Sequence, residues 1–197
     1  MKLRAYFVLF LLCLISCNGE RRNESVSLPT EDDINDVVKT IVFDKGFHIA
    51  SENFRSPICI ELNTRKIVDS RKKAKEYPTS PIYRIDTLAM SDLIGNPNLP
   101  VKDFFKEKDW EFIKLQNKKN VQKLSPKMFG NLKFTTVNIK HEDWYYHFSV
   151  PIFSSDLKKA YLQYCGIYFD NRNDGTEIFL EKKNDKWEII ETTFWSH

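Results

Sequence analysis

The chain of 197 residues lacks the sequence signatures of the common enzyme classes. It contains no Gly-x-Ser-x-Gly turn, no Walker phosphate loop, no His-Glu-x-x-His motif and no glycine-rich dinucleotide turn. The histidines are scattered, without a His-x-x-x-His spacing, and no two cysteines form a Cys-x-x-Cys pair. The sequence therefore predicts no catalytic residue, no metal and no cofactor, and it favours a non-enzymatic role.

Glycine is scarce, with six residues, whereas aromatic residues make up 14% of the chain. This composition suits a packed sheet and argues against a disordered or repetitive protein. The chain also has little net charge, because its formal +3 includes Lys2 and Arg4 at the extreme N-terminus. A nearly neutral folded part gives no electrostatic reason to expect a nucleic-acid partner.

A long apolar run is also missing. After the basic segment Met1–Arg4, the uncharged run Ala5–Ile15 has eleven residues. A helix needs about 20 apolar residues to span a bilayer, so this run is too short and is typical of a secretory signal.

The residues that follow, Leu14-Ile15-Ser16-Cys17, resemble the lipobox of bacterial lipoproteins. The resemblance implies a signal peptide of residues 1–16, cleavage before Cys17, diacylglycerol on its sulfur and a fatty acid such as palmitate on the new amino group. Two or more acyl chains hold a protein stably on a membrane. An ordinary secretory signal and an uncleaved N-terminal anchor remain alternatives. Because Asn18, not aspartate, follows the cysteine, outer-membrane residence in the cell envelope is favoured over the inner membrane.

Residues 17–29 contain almost nothing to bury and are predicted to be a lipidated, flexible tether. A single α+β domain is expected over residues 30–197. It begins with a helix over about residues 31–43, capped by Thr30 and carrying an apolar stripe at helical spacing. The stripe comprises Ile34, Val37, Val38 and Ile41.

From Trp144 to Trp195 the pattern predicts a four-stranded antiparallel meander, with a few short helices on one face of the sheet. Its clearest part is a hairpin in which Asn184-Asp185 joins two β-rich runs. Closing the hairpin there sets Leu180 opposite Ile189 and Phe179 opposite Ile190. One apolar face results, carrying Ile178, Leu180, Trp187 and Ile189.

Four segments in order resemble a group of small bacterial exported proteins of no assigned activity: Asp109–Gln116, Pro151–Ala160, Tyr164–Gly166 and Leu180–Trp187. Their shared pattern is an Asp-capped helix ending in Gln, a Pro-Ile-Phe strand and a terminal hairpin ending in Lys-Trp. The resemblance implies the fold and no chemistry. A weaker likeness to the cone-shaped NTF2-like domains, which enclose a small-ligand pocket, is the alternative fold.

Cys59 and Cys165 are the thiols left in the folded part. An exported compartment permits a disulfide between them, but both lie in apolar runs where a free cysteine acts as a small hydrophobic residue. The sequence leaves both alternatives open, a Cys59–Cys165 disulfide and two free thiols.

Aromatic residues in the meander could form a binding face for a glycan or an envelope protein, or they could pack in the core. The candidates are Tyr145, Tyr164, Tyr168 and Trp187. A hydrolase-like activity around His141 and Glu142 is the enzymatic alternative. The sequence thus favours a binding or assembly component held at the membrane by its lipid.

Overall fold

The computed structural model describes six stretches of the chain: 27–50, 56–68, 87–116, 123–136, 144–167 and 173–196. Their α-helices are α1 (Glu31–Val42), α2 (Met90–Leu93) and α3 (Trp110–Gln116). Two short 3-10 helices cover Glu107–Asp109 and Pro126–Phe129. The strands are β1 (Ile58–Cys59), β2 (Lys66–Val68), β3 (Thr87–Ala89), β4 (Phe134–Thr135), β5 (Tyr145–Phe148), β6 (Ile152–Phe153), β7 (Lys159–Ile167), β8 (Asn173–Lys183) and β9 (Lys186–Ser196).

Seven of these strands form the main sheet, in the order β4-β1-β5-β7-β8-β9, with β6 pairing with β7. Strands β5, β7, β8 and β9 pair antiparallel, whereas β1 pairs parallel with both β4 and β5. Strands β2 and β3 form a separate parallel pair. The predicted α+β class and the C-terminal antiparallel meander are confirmed. The parallel strands β1 and β4 at one edge of the sheet were not predicted.

The terminal hairpin closes on the predicted turn. Asn184 and Asp185 both have positive φ, 49° and 60°. Two central residues with positive φ characterise a type I′ turn, whose twist matches that of the flanking strands. The turn chemistry of the sequence thus fixes the connection between β8 and β9.

A glycine at the second turn position tests this geometry. Asp185→Gly is expected to raise the free energy of unfolding by about 0.5–1 kcal/mol, because glycine adopts positive φ without steric cost. Asp185→Ala, the matched control, is expected to lower it, since alanine tolerates this region poorly. Urea denaturation of the full chain gives both values. A glycine variant less stable than the alanine variant would contradict the turn geometry.

The register of the hairpin differs from the prediction at one position. Leu180 pairs with Ile189, as predicted, but a bulge follows and Phe179 faces Glu191, not Ile190. Ile190 is the extra residue on β9. A bulge of this kind adds one residue to a strand and increases its local twist, which the alternation of apolar residues alone does not reveal.

Helix α1 covers one face of the sheet. Thr30 and Asp33 form a capping box at its N-terminus: the Asp33 amide donates to the Thr30 hydroxyl at 3.2 Å, and the Thr30 amide donates to the Asp33 carboxylate at 2.9 Å. The helix packs its apolar stripe on the sheet. We call this cluster the α1 core; it includes Ile34, Val37, Val38 and Ile41 of the helix and Ile178, Leu180 and Trp187 of the sheet.

The opposite face of the sheet is covered as well. Successive side chains of a strand point to opposite faces, so Phe179 points away from α1. It is fully buried and belongs to a second cluster, the α3 core, with Met90, Leu93, Trp110, Ile113 and Tyr161. The short helices were predicted on one face; α1 lies on one face and α2 and α3 pack on the other.

Both ends of α3 are tied to the segment around β6. At its start, the buried Asp109 accepts hydrogen bonds from the Ser155 amide at 2.8 Å and the Ser155 hydroxyl at 2.6 Å. At its end, the Gln116 amide donates to the Phe153 carbonyl at 2.7 Å and accepts from the Phe153 amide at 2.9 Å. These contacts fix the position of α3 and hold Gln116 beside the cleft described below.

Candidate anion-binding cleft

The structure does not bring the predicted aromatic binding face together. Trp187 is 8% exposed and Tyr164 is half-buried, and both pack in or against the α1 core. Tyr145 is half-buried and, by the alternation of β5 around Tyr146, points to the opposite face. Tyr168 lies outside the described stretches. The three described rings therefore form no continuous exposed patch.

Cys59 and Cys165 are both free and buried. Their strands, β1 and β7, lie on either side of β5. Because neighbouring strands are about 4.8 Å apart, the two backbones are separated by about 10 Å, too far for a disulfide. Burial raises the pKa of each thiol to about 11, so both are protonated at neutral pH and behave as small apolar residues.

Other predicted residues lie where the structure gives no description. Cys17, His141 and Glu142 fall outside the described stretches, so the lipid anchor and the hydrolase alternative stay predictions. In the part of the chain that the structure describes, no helix has the length and apolar content that crossing a membrane requires. In the same part, no three His, Cys, Asp or Glu side chains are grouped so as to hold a metal ion.

A buried polar cluster interrupts the apolar surface of the sheet beside the α3 core. The Tyr161 hydroxyl donates to Glu177 Oε1 at 3.1 Å, and Gln163 Nε2 donates to the same carboxylate oxygen at 2.8 Å. The Ser149 hydroxyl oxygen accepts a hydrogen bond from the Gln163 backbone N–H at 2.9 Å. Burial raises the pKa of Tyr161 above its ordinary value, while the positive charge of Arg65 opposes that rise. Tyr161 is therefore a neutral hydrogen-bond donor at physiological pH.

Arg65, just before β2, lies against this cluster and is only 4% exposed. Its Nη2 donates to the Ser149 hydroxyl oxygen at 3.0 Å, and its guanidinium lies 5.2 Å from the centre of the Tyr161 ring. Its Nε and Nη1 atoms are buried and have no hydrogen-bond partner among the residues that the structure describes. A guanidinium carries five N–H donors, one on Nε and two on each terminal nitrogen, so about three of the five are unsatisfied.

No carboxylate of the described stretches forms an ion pair with Arg65. Tyr161, whose ring lies beside the Arg65 guanidinium, donates its hydroxyl proton to the Glu177 carboxylate. Burying a charge without a partner costs several kcal/mol, and buried charges in proteins are normally paired. Within the described stretches, Arg65 is thus a buried cation without a carboxylate in an ion pair.

Arg65 lines a cleft whose other walls are mostly apolar, formed by Ile67, Val150, Pro151 and Ile152. Thr64 and Gln116 complete the lining, and the Gln116 amide is already occupied by the Phe153 backbone. The cavity in the cleft has a volume of about 30 Å³. Since one water requires about 10–15 Å³ on this measure, the cavity accommodates a group of about two or three non-hydrogen atoms.

The sequence did not single out Arg65. Its signal is weak, a single basic residue beside Lys66 in a short stretch between Leu62 and Ile67. What distinguishes it is its burial, which depends on Ser149, 84 residues further along the chain. Only the folded structure shows that this cation is buried, without an ion pair to any described carboxylate.

Comparison of the chain with protein-family models, with curated proteins and with solved structures finds no match. The lipobox, the exported-protein pattern and the NTF2-like likeness therefore stay hypotheses drawn from the sequence.

Proposed function

We propose that this chain is a lipoprotein of the cell envelope, anchored through Cys17, whose folded domain binds an anion in the Arg65 cleft. The observation that carries the binding role is that Arg65, which lines the cleft, is buried and forms no ion pair with a carboxylate of the described stretches. An anion held in the cleft would compensate this buried charge. A charged side chain among the apolar walls of a cleft is a typical mark of a binding site.

The membrane placement is supported by the sequence Leu14-Ile15-Ser16-Cys17 and by the short uncharged run before it. The lipid would hold the domain at the envelope, with the outer membrane favoured over the inner membrane. In that position the cleft serves as the contact for an envelope ligand, such as a group of an envelope protein or a glycan. Nothing in the composition favours nucleic acid.

Anion-dependent stability of the full chain, purified in detergent, tests the binding role. Sodium butyrate, phosphate and sulfate are each titrated at constant ionic strength while thermal unfolding is followed. At least one anion is expected to raise Tm along a saturating curve, because a ligand that binds only the folded state stabilises it. Arg65→Met is expected to remove this response, whereas Lys66→Met, at the exposed neighbouring position, is expected to keep it.

The free energies of unfolding of the same variants distinguish a ligand site from a network of charges that the fold itself compensates. Without added anion, Arg65→Met is expected to leave the free energy of unfolding unchanged or to raise it by about 1–4 kcal/mol, because it removes an unpaired buried charge. A loss of about 3–5 kcal/mol would show that the charge is already compensated within the fold. That loss, or a wild-type Tm that responds to none of the three anions, would overturn the proposed binding role.

A further inference from the structure

The main sheet has one long edge, along β9. This strand comes last in the sheet order and, among the described stretches, pairs with β8 alone. It has 11 residues, whereas β4 at the opposite edge has two. The edge of a strand carries N–H and C=O groups that can pair with another extended chain, and proteins protect long edges with charges, prolines, bulges or covering elements.

The first half of β9 has such protection. Lys186, Glu188 and Glu191 place three charges there, and Ile190 forms the bulge. On one face, Trp187 packs in the α1 core. A bulge twists the edge locally and, together with the charges, disfavours pairing with another strand over this half.

The protection ends at Glu191. Residues 192–196, Thr-Thr-Phe-Trp-Ser, contain no charge and no proline, and they are mostly β-branched and aromatic types that favour strands. Thr193 is exposed, and Phe194 is 74% exposed. We call residues 192–196 the terminal edge. It has the composition of a segment that pairs readily with another strand.

A hydrogen bond shows which backbone groups of the terminal edge point away from β8. The Thr192 amide donates to Oε1 of the neighbouring Glu191 side chain at 2.9 Å, so Thr192 directs its backbone outward. Because backbone groups alternate in direction along an antiparallel strand, Phe194 directs its backbone outward as well. Thr192 and Phe194 are therefore the positions at which a further strand would bond.

We propose that the terminal edge pairs with the terminal edge of a second copy of this chain, antiparallel and about a twofold axis at Thr193. Thr193 then lies opposite Thr193 of the second copy, and Thr192 lies opposite Phe194 of the second copy. The outward backbone groups of these two positions meet, and the Thr192 amide exchanges its Glu191 acceptor for a backbone carbonyl. Thr–Thr pairs and pairs of an aromatic with a β-branched residue are both favourable across strands.

Charge and symmetry favour a second copy as the occupant. In this register the two Glu191 residues lie about 13 Å apart along the strands, beyond the Debye length of about 8 Å at physiological ionic strength, so no like charges oppose each other. The pairing consumes both long edges and leaves only the two-residue β4 edges outside. The assembly therefore closes as a dimer and does not continue into a fibre. This inference is independent of the Arg65 cleft.

Disulfide trapping of the full chain in detergent tests the register. Thr193→Cys places one thiol of each copy at the axis, where opposed Cα atoms lie about 4.5–5.5 Å apart, within the range of a disulfide. We expect a disulfide-linked dimer on a non-reducing gel after mild oxidation. Glu188→Cys, exposed on the same strand before the bulge, is the matched control and is expected to stay monomeric. The wild-type chain gives the background from its own cysteines.

Sedimentation equilibrium of the full chain, in a solvent matched to the density of the detergent, measures the dimerisation itself. The pairing engages about six residues of each copy, against about 20–30 in a standard interface, so we expect a Kd between about 1 μM and 1 mM. Thr193→Lys is expected to raise the Kd at least about fivefold, because two like charges then oppose each other at the axis. Thr193→Val keeps a β-branched side chain and is expected to keep the Kd within about twofold.

Three results would overturn the inference. One is a wild-type chain that stays monomeric up to about 1 mM. Another is a dimer with the same Kd in the lysine and valine variants, both folded by circular dichroism, since the contact would then lie elsewhere. The third is Thr193→Cys cross-linking no better than Glu188→Cys, because the axis would then not pass through Thr193.

Discussion

Replacing Phe179 with alanine is expected to lower the free energy of unfolding by about 3–5 kcal/mol. The Phe179 ring is fully buried, and its centre lies 5.1 Å from the centres of the Phe104 and Tyr161 rings. Truncation removes this apolar contact and leaves a cavity between the sheet and the α3 core. Urea denaturation of the full chain, followed by tryptophan fluorescence, measures the loss.

Phe194 is the matched control for this substitution, because it is the same residue type on the adjacent strand β9 and is 74% exposed. Phe194→Ala is expected to change the free energy of unfolding by no more than about 0.5 kcal/mol. Equal effects of the two substitutions would contradict the burial of the sheet on its α3 face. They would indicate that this face is open to solvent.

Replacing Cys17 with serine is expected to abolish fatty-acid labelling and to release the chain from the membrane fraction. The expected mechanism attaches the lipid to the Cys17 sulfur, and a hydroxyl at that position does not provide the thiol for this attachment. The measurement is metabolic labelling with a fatty-acid analogue in a bacterial host, followed by membrane fractionation. Without acyl chains the domain loses the two-chain anchor that holds such proteins stably.

Cys13 provides the control, because it lies in the segment that the predicted cleavage before Cys17 would remove. Cys13→Ser is expected to leave labelling and fractionation unchanged. Persistent labelling of the Cys17→Ser variant would contradict lipid attachment at this residue. Membrane retention without labelling would instead support an uncleaved N-terminal anchor.

The local elements of the fold followed from local sequence patterns. The α1 stripe and its Thr30 cap lie within one short segment, and so do the two turn residues Asn184 and Asp185. Both patterns act between residues a few positions apart, so they can be read without knowing the rest of the fold. The Leu180–Ile189 pair followed from the turn for the same reason.

The features of the fold that the sequence did not predict depend on more than the residues next to a turn or within a single helix. The bulge that sets Phe179 opposite Glu191 is one of these, since it changes the register only beyond the residues next to the turn. The parallel pairing of β1 with β4 and β5 is another, because it joins segments far apart in sequence. The covering of both sheet faces also depends on where α2 and α3 pack, which periodicity does not specify.

The sequence did not predict the Arg65 cleft, for a related reason. Aromatic residues drew attention in the sequence, yet Trp187 and Tyr164 serve mainly as core. Arg65 has no distinguishing motif, and its significance comes from a burial that only its packing against Ser149 and Tyr161 produces. The burial of Arg65 is a property of the fold, so no pattern of neighbouring residues reports it.

The most direct measurement is the ¹H–¹⁵N correlation of the Arg65 side-chain Nε–H during titration of the full chain with sodium butyrate. Its signal is assigned by its disappearance in the Arg65→Met variant. We expect it to shift along a saturating curve, because an anion in the cleft that Arg65 lines changes the electrostatic field at the guanidinium. Butyrate binding that leaves the Arg65 signal in place would contradict the assignment of the cleft as the site.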